Sequence, residues 1–253
     1  YAEFSATIGR RLGELHLALA AHGGAPDFQP GTMSADDAKT WSKRLRADVE
    51  AAISLIETTS TWQDARTEAD AAALLRYRTV LADAPSQLAR SVAGTTRGVI
   101  HGDFHLAQVL VSSGDVIIVD LEGEPAVAAD QRRAKASPLK DLAGLLRSFD
   151  YVSMRVQSSL PDPIADPESV REHWFDRFRA RACEAAIAAY AKAVGREPQT
   201  FASETGDGAL LKLLLIEKAV YEIRYEAANR PAWLDVPLRG LLRLVEDLPG
   251  GFA

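Results

Sequence analysis

The chain opens with apolar and polar positions alternating at helical spacing. Phe4, Ile8, Leu12, Leu15 and Leu19 recur every three to four residues and predict an amphipathic helix over 3–22. The segment HGGAPDFQPGTM that follows is dense in Gly and Pro and reads as a loop. Ser34 with Asp37 three residues later supplies a capping pattern for a helix over 36–57. A third helix is expected over 61–82, ending before Ala84 and Pro85, and a short fourth near 86–92.

The period then shortens. Gly98, Val99 and Ile100, then Val109, Leu110 and Val111, then Val116, Ile117, Ile118 and Val119 form short β-branched runs. Ser112, Ser113, Gly114 and Asp115 separate the last two runs as a hairpin turn. Residues 121–137 are polar and irregular. Pro138 is well placed to start a helix carrying Leu139, Leu142, Leu145, Leu146 and Phe149. PDPIADP at 161–167 reads as a rigid loop, followed by helices at about 168–194 and 207–228 and a shorter one over 237–245. The expected fold class is mainly α (α+β), one helical domain with a small β segment set into it at about 98–120. No internal repeat is visible.

Composition narrows the function classes. The 253 residues are 47% hydrophobic and 25% charged, an ordinary globular balance. A net charge of −6 without a dense Lys/Arg run argues against a nucleic-acid partner. No apolar run reaches the length of a membrane span, and the N-terminal segment lacks a signal-peptide pattern, so a cytoplasmic location is expected. The lone cysteine, Cys183 in RARACEAAIAAYAKA, excludes a disulfide framework and reads as a buried, inert helix residue. The chain begins without Met, directly in a helical pattern, which suggests a piece of something longer.

The chemistry concentrates in residues 101–125, HGDFHLAQVLVSSGDVIIVDLEGEP. Asp103 alone, next to Gly102, would pass for a turn residue. The combination is more specific: an Asp, an amide at Gln108, and Asp120 at the end of an apolar strand, with a hairpin between the last two. That hairpin folds Asp120 back beside Gln108, so an oxygen of each can meet at one cation. Mg²⁺ prefers a few protein oxygens plus substrate phosphate. Asp103 is then left to orient an attacking hydroxyl, and phosphoryl transfer requires such a division of labour.

HGDFHLAQ resembles the catalytic loop of aminoglycoside phosphotransferase-type kinases, a branch of the protein-kinase-like fold, and DLEG takes the place of their DFG-type metal motif. With VDLEGEP, RRAKASPLKDLAGLLRSFDY, YEIRYEAANRP and PLRGLLRL, the chain from GRRLGELHLALA to its end resembles the maltokinases. These phosphorylate the reducing-end hydroxyl of maltose, within trehalose and glycogen metabolism, and also occur fused to trehalose synthase. The resemblance implies a helical C-terminal lobe and ATP as co-substrate. It gives Asp103 as the catalytic residue, Gln108 as the metal-side amide and Asp120 as the principal Mg²⁺ ligand, with Glu122 near the metal or the sugar. It makes His101 a structural hydrogen-bonding residue and Asp141 a brace for the catalytic loop. His105 stays open between bracing the loop and meeting phosphate or acceptor.

Further candidates lie downstream. Arg132, Arg133 and Lys135, one loop beyond Asp120, are either a solvated basic cluster or a source of phosphate and acceptor contacts. Tyr221 and Tyr225 share one helix face, and Glu222 and Glu226 another. The plain reading is a buried tyrosine face beside a solvated acidic face. The resemblance instead gives this helix, with Asn229, Arg230 and Trp233, a place near the acceptor. Here the chain departs from the family pattern, with YEAANRP where maltokinases show YELNNRP, which bears on acceptor identity more than on reaction type.

A kinase of this fold also needs a β-rich lobe with a phosphate-covering loop and a pairing Lys. Residues 1–97 offer only Lys39 and Lys43, both in a predicted helix. The nucleotide-clamping lobe is therefore expected outside this chain, and the isolated chain is expected to show little or no kinase activity. Two other readings compete. One keeps the reaction but changes the acceptor to glucosamine or an aminoglycoside, which Glu222 and Glu226 would suit. The other is a non-catalytic interaction module of kinase ancestry, against which the intact Asp103, Gln108 and Asp120 argue. A metal hydrolase would want more His or carboxylate ligands than this region has.

Overall fold

The computed structural model describes residues 1–21, 28–124, 127–159 and 168–248. In chain order the elements are α1 (Ala2–Ala21), β1 (Gly31–Thr32), α2 (Ala35–Thr58), α3 (Ala65–Arg76), α4 (Arg78–Leu88), β2 (Thr96–Arg97), β3 (Val109–Ser112), β4 (Asp115–Ile118), α5 (Ala129–Arg132), α6 (Leu139–Ser159), α7 (Glu168–Ala193), α8 (Gly206–Asn229) and α9 (Asp235–Glu246). Two antiparallel pairs carry the strands: β1 with β2, and the hairpin β3–β4 in register from Val109↔Ile118 to Ser112↔Asp115. The mainly helical expectation with a catalytic-region hairpin agrees with this architecture.

Several boundaries differ from expectation. The single helix over 61–82 is two. Asp64 caps the first by accepting from the Thr67 N–H at 2.7 Å, and the chain turns at Tyr77, which ends α3 and begins α4. α4 then runs through Pro85 instead of stopping before it, so the missing proline N–H is tolerated within a short, packed helix. Gly98, Val99 and Ile100 form no strand: Gly98 makes an isolated bridge to Ala136, and the ladder lies just upstream, at Thr96 and Arg97. The proline-rich segment 161–167 lies outside the described residues.

The chain divides into two compact units, Tyr1–Thr32 with Thr96–Ala202, and Met33–Thr95 with Ser203–Ala253. In the first, α1 lies along α7, and α6 packs on α7. The buried face of α1 is Ser5, Ile8, Gly9, Leu12, Gly13 and His16. Phe4, expected on the apolar stripe, is exposed, and Leu15 and Leu19 are half-buried. The reason is close approach: a Cβ on Gly9 would collide with the Ala186 carbonyl of α7, so small residues mark the contact. α6 contributes Leu142, Leu145, Leu146 and Phe149 to this core, as its spacing predicts.

In the second unit α2 packs on α4 and α8, and α9 packs on α3 and α8. Leu45, Val49, Leu74, Leu81, Leu210, Leu213, Ile216 and Ile223 are almost wholly removed from solvent. Each such side chain contributes roughly 1.5–3 kcal/mol of transfer free energy. Ser34 and Asp37 form the expected capping box at the start of α2. Among the described residues, no helix is long and apolar enough to cross a membrane.

Candidate active site

The site begins at a brace. Asp141, in the first turn of α6, is 1% exposed, and its carboxylate accepts from the backbone N–H groups of His101 at 2.8 Å and Gly102 at 2.9 Å. A carboxylate at a helix N-terminus is favoured by the exposed N–H groups and the helix dipole. Gly102 has φ +87°, a left-handed conformation that a Cβ disfavours. Asp103 leaves this turn with its N–H directed at His101 Nδ1, 3.4 Å away. His101 Nδ1 is therefore an acceptor, and its Nε2–H donates to the Val119 carbonyl at 2.8 Å. That bond ties the loop carrying Asp103 to the strand exit that leads to Asp120. Both ring nitrogens of His101 are taken up by backbone groups.

Phe104, 3% exposed, anchors the next residue in the core, and the Leu106 N–H donates to Ser148 Oγ of α6 at 3.2 Å. His105 caps a single 3-10 turn, Leu106–Gln108, with Nδ1 accepting from the Ala107 N–H at 3.3 Å. Its Nε2 then points toward Asp103 Oδ2, 3.9 Å away. Of the two roles open to His105, the loop-bracing bond is present.

The hairpin brings Gln108 and Asp120 side by side. The Val119 N–H donates to the Gln108 carbonyl at 3.0 Å, and Gln108 Nε2 donates to Asp120 Oδ2 at 3.1 Å. Asp120 sits at φ +66°, a left-handed conformation that Asp tolerates better than most residues, which turns its carboxylate out of the strand. Asp120 is exposed and Gln108 half-buried. Among the described residues no group of three or more His, Cys, Asp or Glu side chains is placed to hold a metal ion. At its turn the hairpin is pinned to α1: Asp115 receives hydrogen bonds from Arg11 Nε at 3.0 Å and from Arg11 Nη2. The Arg11 guanidinium, aided by the Val116 N–H, holds the Asp115 carboxyl well below the usual carboxylate range.

The three basic candidates separate. Arg132 is half-buried against Gly123, and its Nη1 donates to the Glu122 carbonyl at 3.1 Å. Lys135 is half-buried, and its carbonyl accepts from Arg97 at 2.8 Å. Arg133 is exposed. The cluster is thus not one solvated patch: Arg132 closes the turn that follows Asp120. Glu122 has an exposed side chain in that turn.

On α8 the plain expectation is inverted. Tyr221 and Tyr225 are 39% and 42% exposed, whereas Glu222 and Glu226 are buried at 6% and 1%. Glu226 is affordable inside because Arg230, one turn on, reaches it with Nε at 2.9 Å and Nη2 at 2.6 Å. The same guanidinium lies over the rings of Trp233, 4.7 Å, and Tyr225, 5.4 Å from the centroids. Tyr225 stacks on Tyr221 at 6.0 Å, and Asn229 Nδ2 donates to the Tyr225 carbonyl at 2.8 Å. The outward face is an aromatic and cationic ladder. The first unit thus gathers Asp103, His105, Gln108, Asp120, Glu122 and Arg132, and the second gathers the α8 set.

Two contributors escape a reading of the sequence. His16 and Tyr190, both buried, extend the brace behind Asp141. The only available signal was a histidine at an apolar-stripe position of α1, and a buried histidine is ordinarily a satisfied core residue.

Comparison with known proteins gives the chain's relatives. Over 243 residues the chain is 30% identical to a glucosamine kinase of Streptacidiphilus jiangxiensis, covering 96% of this chain and 49% of that protein. It is 26% identical over 243 residues to a glucosamine kinase of Mycolicibacterium smegmatis (strain ATCC 700084 / mc(2)155), covering 95% of this chain and 53% of the relative. A solved glucosamine kinase in complex with glucosamine, ADP and inorganic phosphate matches with a TM-score of 0.75 at 27% identity, over 96% of this chain and 54% of that one. The chain therefore spans about half the length of the curated relatives it matches. Residues 2–190 match the model of the phosphotransferase enzyme family (APH), three quarters of the chain and the whole of the Asp103–Asp120 site. The chain belongs to the phosphotransferase enzyme family.

Proposed function

We propose that this chain is the catalytic helical lobe of an ATP-dependent amino-sugar kinase whose acceptor is glucosamine. The observation that carries the acceptor is the likeness, over 96% of the chain, to glucosamine kinases, one of them solved with glucosamine, ADP and inorganic phosphate. Maltose, the acceptor that the maltokinase resemblance implies, has no counterpart among the named relatives. Trehalose and glycogen metabolism, and a joined trehalose synthase, lose their support with it. The reaction type is common to both. On α8 the exposed aromatic faces of Tyr221 and Tyr225 are a group type that suits a pyranose ring, while Glu222 and Glu226 are buried and Glu226 is held by Arg230.

Asp103 orients the acceptor hydroxyl and takes its proton as the phosphoryl group arrives. In a loose phosphoryl-transfer transition state, positioning and charge neutralisation are the main tasks. The loop that presents Asp103 is fixed at both its ends, by Asp141 on His101 and Gly102 and by Ser148 on Leu106. Asp120 and Gln108 fit Mg²⁺: they are adjacent oxygen-bearing side chains, and a half-turn of the Gln108 amide presents its oxygen where Nε2 now meets Asp120. Two protein donors leave the remaining positions of the ion to water and phosphate. When bound, the ion supplies charge neutralisation between the phosphates.

The same reading puts a nucleotide-clamping lobe outside these 253 residues. Leu110, Ile117 and Leu121, more than half exposed on and just after the hairpin, support an apolar cover there. The test is ATP-dependent phosphorylation of glucosamine and maltose by the natural full-length protein and by this chain, with Asp103→Asn as control. Glucosamine turnover that depends on Asp103 is expected, with little or none from this chain alone. Turnover of maltose alone would return the acceptor to the maltokinase type. Turnover of neither sugar would sink the acceptor reading and leave an aminoglycoside acceptor or an interaction module.

A further inference from the structure

We propose that His16 and Tyr190 are positioning residues for phosphoryl transfer, acting on Asp103 through Asp141; this rests on the phosphotransfer reading above. Three helices each supply one side chain to a single buried chain of hydrogen bonds: His16 from α1, Asp141 from α6 and Tyr190 from α7, with 6%, 1% and 2% exposure. The Asp141 carboxylate accepts three bonds at once. Oδ2 takes the His101 N–H at 2.8 Å and His16 Nε2 at 2.9 Å, and Oδ1 takes the Gly102 N–H at 2.9 Å.

The direction of the His16–Asp141 bond follows from the chemistry of the groups. An ionised carboxylate only accepts, so His16 Nε2 carries a proton. The other ring nitrogen, Nδ1, shares a second hydrogen bond with the Tyr190 hydroxyl 3.0 Å away. Tyr190 is in turn held edge-on between His16, 5.7 Å between centroids, and Phe201, 5.8 Å. One hydroxyl thus sets the ring of His16, and His16 sets the plane of the Asp141 carboxylate. That plane decides whether both oxygens reach both amides.

The amides flank the most pliable point of the loop. Gly102, at φ +87°, has no side chain to lock it, and the residue after it is Asp103. A rotated carboxylate would release the Gly102 N–H and let Asp103 swing. Misplacement of a reacting group by about 1 Å costs on the order of 100-fold in rate. A purely structural role, in which buried polar groups merely satisfy one another, predicts lost stability with no selective effect at the loop.

The two roles separate in Tyr190→Phe, which removes one O–H and keeps the ring, and in His16→Leu and His16→Gln, where glutamine retains an N–H donor for Asp141. In the natural full-length protein, kcat and KM are measured with whichever of glucosamine or maltose the unsubstituted protein phosphorylates. Backbone amide exchange at His101 and Gly102 is followed by NMR, with Val111 and Val116 of the hairpin as internal controls. Tyr190→Phe should lower kcat roughly three- to tenfold and His16→Leu roughly ten- to a hundredfold, the spans of a neutral and a charge-assisted hydrogen bond. KM should hold, His16→Gln should recover part of the loss, and exchange at His101 and Gly102 alone should accelerate in the same order. Unchanged exchange at these two amides overturns the inference. So does a loss in which the hairpin amides accelerate equally and glutamine rescues nothing. If His16→Leu fails to fold, Tyr190→Phe alone decides. If the unsubstituted protein phosphorylates neither sugar, the acceptor reading fails, and selective exchange at the two amides still sustains or sinks the hydrogen-bond chain.

Discussion

The backbone carbonyl of Phe104 lies against the Cα of Gly144 in α6, so close that a Cβ on Gly144 would sit well inside 3.0 Å of the oxygen. The loop carrying Asp103 is thereby seated directly on the helix that also supplies Asp141 and Ser148 to its backbone. Because the obstacle is backbone, no side-chain rotation can relieve it. Gly144→Ala should destabilise the fold by about 1–3 kcal/mol, the usual cost of overpacking, read as a shift of the urea midpoint. It should also lower kcat beyond that of a surface Gly→Ala change, since the displaced residue adjoins Asp103. Unchanged stability in Gly144→Ala would show that the loop is not seated this way.

Asp103 is held by its backbone and not by its carboxylate, because the N–H meets His101 while the side chain stands 3.9 Å from His105. Asp103→Asn should therefore leave the unfolding transition in place. In the natural full-length protein it should reduce kcat by about 10²–10⁴, the span attributed to a positioned base, with ATP binding retained. A variant that loses stability and activity in parallel would assign Asp103 to the scaffold.

Glu226 and Arg230 form a lopsided pair: the carboxylate is 1% exposed, whereas the Arg230 side chain is 46% exposed and stacked on Trp233. Removing the partner of a buried charge costs more than removing the partner of a solvated one. Arg230→Leu should thus cost about 1–3 kcal/mol, and Glu226→Gln distinctly less, since the guanidinium keeps water and its aromatic contacts. Denaturant titration of the two variants decides the order. The reverse order would mean that the arginine is the more dependent member.

What could be read from the sequence and what could not divide along a physical line. The hairpin was legible because its pairing is local: a four-residue turn brings Val109 opposite Ile118, and with it Gln108 beside Asp120. The helices were legible where caps are local, as at Ser34, and blurred where Pro85 is carried inside a packed helix. Periodicity separated two faces of α8 but could not say which one the core takes. A tyrosine face and a glutamate face look alike until Arg230 is seen neutralising Glu226. His16 was illegible for the same reason at longer range, since its partners lie 125 and 174 residues away.

Cys183 gives a prediction in which the sign of the pH dependence is fixed. Cys183 is half-buried on α7, not wholly buried as its sequence context predicts, and its thiol is pushed up to about 12 from an ordinary value of 9.0, first by burial and then by the nearby Asp150 carboxylate. Below pH 9 the thiol is protonated in both folded and unfolded chains and contributes no pH dependence. Between about 9 and 12 the unfolded chain releases this proton and the folded chain keeps it, so stability falls as pH rises, by about 1.4 kcal/mol per unit from this one group. Tyrosine and lysine side chains titrate in the same window, so the slope is read as a difference. Urea midpoints of the unsubstituted chain and of Cys183→Ser, compared from pH 8 to pH 10.5, should converge as pH rises, because only the cysteine-containing protein carries the extra loss. The folded protein should also resist alkylation by iodoacetamide at pH 8 until denaturant is added, since the thiolate is the reactive form. Rapid labelling of the native chain, or parallel midpoint curves for the two proteins, would place the thiol in solvent.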